Sequence, residues 1–134
     1  MVPGPITLGA VASVSPAPVI IFGRDDSAAT RAALRYFKER RVEVQFSDLR
    51  RRPMAAGELR RFVDRLGAGA LADRDGRAWR EAGLGYLRMT DAELGERLLA
   101  DQSLLRLPLV RRANVFAVGP DEAAWRAIAA ADLG

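Results

Sequence analysis

The stretch Val19–Ser47, VIIFGRDDSAATRAALRYFKERRVEVQFS, decides the fold. Val19-Ile20-Ile21-Phe22 is an apolar run closed by Gly23 and reads as a fully buried strand. Asp26 or Ser27 caps the helix that follows, because a side-chain oxygen there accepts from the free amides of the first turn. Ala33, Leu34, Tyr36 and Phe37 form its buried stripe, and Arg40 and Arg41 suit its negative C-terminal end. Val42, Val44 and Phe46 then alternate with Glu43, Gln45 and Ser47, the period of a half-buried strand. Two such strands joined through one helix pair in parallel by a right-handed crossover.

The downstream pattern changes character. Asp48–Pro53 is a loop carrying Arg50, Arg51 and Arg52. A helix over 55–66 turns Leu59, Phe62, Val63 and Leu66 inward, and Gly67 and Gly69 end it. Asp73–Gly76 is a turn, and a short helical piece near 78–81 holds Trp79 against the core. Thr90 and Glu93 make a capping box for a helix that runs to about Ala100. Two short strands, 109–111 and 115–118, flank a turn at Arg112–Asn114, and Asp121 caps a last helix anchored by Trp125 and Ile128. A parallel pair plus an antiparallel hairpin predicts an α/β chain of thioredoxin-like layout. It has a four-stranded mixed sheet flanked by helices, with a helical insertion over about 55–103.

Composition bounds the chemistry. The chain has 134 residues, 49% hydrophobic and 28% charged, enough for one domain, placed at 18–134. Residues 1–17 lack charge, are rich in proline and glycine, and read as a flexible arm. No stretch reaches the roughly 20 apolar residues of a membrane span, so the expected location is the cytoplasm. Twenty-one basic against 17 acidic residues give a net charge of +4, a weak field for nucleic acid. Neither a helix-turn-helix signature nor an aromatic stacking platform accompanies the arginines, which argues against direct nucleic-acid binding. There is no cysteine and no histidine. That excludes disulfides, thiol nucleophiles and imidazole catalysis, and it argues against a structural metal. No cofactor is implied.

Taken in order, IIFGRDDSAATRAAL, VEVQFSDLRRRP, GELRRFVDRLG, LADRDGRAWREAGL and LLADQSLLRLPLV with VFAVGPDEAAW resemble the glutaredoxin-type arsenate reductases and Spx-like regulators. The resemblance covers about Val19 to Ile128. It implies a thioredoxin-like fold and, in catalytic members, arsenate reduction dependent on glutathione and glutaredoxin. It also places the nucleophilic cysteine at Ser27 and the second cysteine of two-thiol members at Thr30. Of the arginines that hold the oxyanion, it places one at Leu107 and one just after Pro53, where Met54, Ala55 and Ala56 stand. Arg31 is kept, Arg106 lies one position early, and Pro108 matches the proline that is cis in the family and faces the nucleophile.

Serine does not substitute for the thiol. Its hydroxyl is far more basic, and a shift of a few pKa units leaves it protonated near neutrality. It cannot pass two electrons through a mixed disulfide, and the chain has no histidine to activate it. The reading is therefore a non-catalytic, cysteine-less relative that binds a protein or peptide in a regulatory role, without a catalytic residue. One alternative is a reductase-type thiol oxidoreductase in which Ser27 has replaced the catalytic cysteine, and another is a small-anion sensor. Ser27, Arg31, Arg106 and Pro108 are the candidates for anion or peptide binding. Arg60 and Arg61 are the candidates for an acidic protein partner; by resemblance to the Spx-like members that partner would be RNA polymerase.

Overall fold

The structure, a computed structural model, describes residues 17–131. The arm expected over 1–17 lies outside the described residues except for Ala17. Strands β1 (Val19–Gly23), β2 (Val44–Asp48), β3 (Leu109–Arg112) and β4 (Val115–Val118) form one mixed sheet in the order β2-β1-β3-β4. β1 pairs parallel with β2 and antiparallel with β3, and β3 pairs antiparallel with β4. This is the expected thioredoxin-like sheet.

Alternation along the strands sorts the core onto two faces. Val19, Ile21, Val110 and Ala117 pack under α1 (Ala28–Glu39) and α6 (Glu122–Ala129), with Phe37, Trp125 and Ile128. Phe22 and Leu109 face the insertion, built from α2 (Ala56–Leu66), α3 (Ala68–Leu71), α4 (Arg77–Glu81) and α5 (Asp91–Ala100). Phe62 joins the insertion to the sheet. Its ring meets Phe22 of β1 at 5.9 Å and Phe116 of β4 at 4.9 Å, both edge to face. The Arg111–Glu58 ion pair ties α2 to β3 beside them.

Local chemistry sets the helix starts as expected. Ser27 accepts from the Thr30 amide at 3.2 Å, and Asp121 accepts from that of Ala124 at 3.1 Å. Thr90 and Glu93 complete the capping box in both directions, at 3.1 and 2.8 Å. Most boundaries fall within one residue of expectation, including β3, which runs on to Arg112, and two places differ more. β2 starts at Val44 because α1 closes through a left-handed Arg41 (φ 58°), with the Val42 amide donating back to Phe37. After Gly67 the chain turns into α3 at once, because the Asp91 carboxylate accepts from the Ala68 and Gly69 amides at 3.4 and 3.3 Å.

Arg112 is 6% exposed yet has no carboxylate bonded to it among the described residues. Its guanidinium donates to the carbonyls of Ala17, Ile128 and Ala129 at 2.7, 3.0 and 3.1 Å. The negative end of α6 thus supplies the counter-charge, and the start of the described chain is pinned to it.

Candidate functional site

The site lies at the C-terminal ends of β1 and β2, where β1 turns into α1 and the segment before β3 arrives. Ser27 begins α1 with its hydroxyl engaged as the helix cap. The Leu107–Pro108 peptide is cis, as the resemblance implies, and Pro108 is buried. Ser27, Ala29, Asp73, Ser103, Arg106, Leu107 and Pro120 border a cleft of about 400 Å³. On the other side of Leu107, Arg24, Leu49, Pro53 and Gln102 border a second hollow of about 160 Å³, which shares Ser103, Leu105 and Leu107 with the first.

Arg106 reaches the cleft despite its place one residue before Leu107. Its side chain lies along Gly119, where a Cβ would come within 2.7 Å of Nε. Gly119 has φ 77° in the turn leading to α6, so a glycine serves both the backbone and the arginine. Arg31 is not among the cleft residues; its guanidinium donates to the Asp25 carbonyl at 3.0 Å. Thr30, at the second cysteine position, is fully buried and wedged against Gly23. Its hydroxyl accepts from the Arg24 amide at 3.4 Å.

A Cβ at Gly23 would overlap the Thr30 hydroxyl and stand 2.6 Å from its methyl. Gly23→Ala is therefore expected to destabilise the fold by about 1–3 kcal/mol through overpacking. Combining it with Thr30→Ala should cost less than the two single changes added together. Chemical denaturation of all three variants checks this, and simple additivity would mean that the two residues do not compete for space.

The carboxylates at the start of α1 are matched by arginines from two loops. Arg24 makes two bonds of 2.9 Å to Asp26, and Arg50 meets Asp25 at 2.9 Å. The hydrogen bonds from Arg24, then the charges of Arg24 and Arg50, hold Asp26 at about 2 against an ordinary 3.8. A depressed carboxylate stabilises the folded state above its ordinary value. That contribution fades as the pH falls from there through about 2.

The other pair of candidates lies elsewhere. Arg60 meets Glu96 of α5 at 3.4 Å, and Arg61 meets Glu58, which also pairs with Arg111, at 3.5 Å. Sequence reading missed Arg24, Asp73, Gln102 and Ser103 as cleft residues. Gln102 bonds the Met54 amide and carbonyl at 2.8 and 2.9 Å, fixing the chain after Pro53 to the chain before Pro108. That reach of 48 positions leaves no local sequence signal. Met54 itself is buried, 5% exposed. Among the described residues no three His, Cys, Asp or Glu converge to hold a metal, and no helix is long and apolar enough to cross a membrane.

The comparisons with known proteins agree with this fold. An ArsC family related protein from Bacteroides fragilis superposes with a TM-score of 0.75 at 17% identity, over 85% of this chain and 99% of that one. The arsenate reductase from Vibrio cholerae gives 0.72 at 17% identity, over 85% and 99%. The YffB protein gives 0.73 at 23% identity, over 84% and 99%. No curated protein sequence matches. The sequence profile of the ArsC family matches residues 22–128, from the end of β1 through the helical insertion into α6, and the chain belongs to the ArsC family.

Proposed function

We propose that this chain is a non-catalytic ArsC family member that binds an extended segment of a protein partner across the cleft beside Pro108, in a regulatory role. One observation carries the reading. The position that the family resemblance gives to the nucleophile holds Ser27, whose hydroxyl is spent on capping α1, while the cleft around it stays open. An alcohol does not carry thiol redox chemistry, and the chain has no histidine to activate it for acyl transfer. The lining is suited to binding: the half-buried Leu107 offers apolar contact, and Arg106, Asp73 and Ser103 offer polar anchors. The partner belongs at the cleft rather than at Arg60 and Arg61, which do not border it; Arg60 faces Glu96, and Arg61 shares Glu58 with Arg111.

Selection of peptides from a displayed library on the immobilised chain, followed by calorimetric titration, tests the reading. Peptides of micromolar affinity are expected. Leu107→Arg, which fills the ridge between the two hollows, should weaken them at least about tenfold, or 1.4 kcal/mol. Arsenate reduction by the unaltered chain with glutathione and glutaredoxin would overturn the proposal. So would peptide binding that ignores Leu107→Arg.

A further inference from the structure

We propose that β2 is a self-pairing edge. Two copies of this chain associate by antiparallel pairing of residues 43–47 about a twofold axis at Gln45, joining their two four-stranded sheets edge to edge.

The first support is the direction of the main chain. Among the described residues β2 is one of the two edges of the sheet, β4 being the other. The Val19 amide donates to Glu43 at 2.9 Å and the Leu49 amide donates to Gly23 at 2.8 Å. In a parallel ladder this parity sends the main-chain groups of Glu43, Gln45, Ser47 and Leu49 toward β1. Those of Val44 and Phe46 therefore point away from the sheet, at the spacing a further strand requires.

The second support is the side-chain pattern. Val44 pairs with Val19 and Phe46 with Ile21, so both side chains lie on the α1 face. α1 does not cover them fully. Phe46 is 39% exposed and Leu34 only half-buried. With Val42, Val44, Lys38, Arg41 and Glu43 they border an open groove of about 580 Å³. Exposed edges are usually protected by a proline, a lysine or a bulge, and Val44-Gln45-Phe46-Ser47-Asp48 has no proline and no lysine.

The third support is charge and shape complementarity of this strand to itself. With Gln45 opposite its own copy, Val44 faces Phe46 of the second copy and Phe46 faces Val44. Apolar residues meet on the α1 face, and Glu43 meets Ser47 on the other. Asp48 comes opposite Val42, on the rim that carries Lys38 and Arg41. Each Asp48 thus approaches the basic rim of the second copy, and no like charges oppose each other. An unrelated partner strand would not be constrained to satisfy all of these positions at once.

The absence of native cysteine makes the test direct. In this register Gln45 and its copy form a non-hydrogen-bonded pair with Cα atoms about 4.5 Å apart, within disulfide reach. Gln45→Cys should form a covalent dimer on mild oxidation. Ser47→Cys, two residues along the same strand, should not, because its copy lies several residues away. Sedimentation equilibrium of the full chain should show dimer mass growing between about ten micromolar and one millimolar, the range for a small interface. Phe46→Lys, an exposed change expected to leave the fold intact by circular dichroism, should keep the chain monomeric. Cross-linking of Gln45→Cys no better than that of Ser47→Cys would overturn the proposal, whatever Phe46→Lys does. A monomer throughout that range would overturn it, as would a dimer that survives Phe46→Lys.

Discussion

Replacing Phe62 with alanine is expected to lower the free energy of unfolding by about 3–5 kcal/mol, the range for deleting a fully buried aromatic ring. The expectation rests on where the ring sits. Phe62 is fully buried on α2 and meets Phe22 and Phe116 edge to face, one on each side of β3. Removing it opens a cavity between the insertion and the sheet and cancels two aromatic contacts together. Phe62→Leu keeps most of the volume and should cost much less. Trp79 of the insertion and Trp125 of α6 are both buried, so denaturant curves followed by fluorescence report on both faces of the sheet. Selective replacement of each tryptophan by phenylalanine would separate them. A single shared transition, shifted by the expected amount, is the predicted result. A loss below about 1 kcal/mol would mean that the insertion docks without this ring.

The second large effect is chemical. Ser27→Cys should turn a chain inert to iodoacetamide into one alkylated at a single position. The thiol would begin α1, where the amide that Ser27 now caps favours the thiolate. Its pKa should lie at least about one unit below the free value of 8.5, giving roughly tenfold more thiolate near neutrality. Asp25 and Asp26 stand close by and would oppose this, but both are matched by arginines, Asp26 by Arg24 and Asp25 by Arg50. Arsenate reduction should nevertheless remain absent. Leu107 occupies the place that the family resemblance gives to an oxyanion arginine, and Met54 is buried next to the place it gives to another. A thiol titrating at or above 8.5 would show that the two carboxylates outweigh the helix start. Arsenate turnover by the variant would favour the reading in which Ser27 has displaced a working cysteine.

Much of the fold was legible in the sequence because its signals are local. Ser27, Thr90 with Glu93, and Asp121 each act within one helical turn, so their spacing announces the helix starts that the structure contains. The short apolar stretches Leu109-Val110 and Val115-Phe116-Ala117-Val118 on either side of Arg112-Ala113-Asn114 likewise announce the hairpin. The strand after α1 was legible as a strand but not in its burial. Phe46 has the pattern of an inward residue, yet it is among the exposed large apolar side chains, because a sheet edge is defined by which strands lie beside it. The site divides in the same way. Sequence alone determined that the chain has no thiol and no imidazole, and therefore which chemistry Ser27 cannot perform. Only the tertiary structure decided that Arg106 and Ser27 share one cleft while Arg31 turns to Asp25, and that Gln102 holds Met54. Helix caps and strand periods act over a few residues and leave a local trace. The partners of a guanidinium or an amide across the cleft are chosen by packing, which brings together residues that the chain keeps far apart.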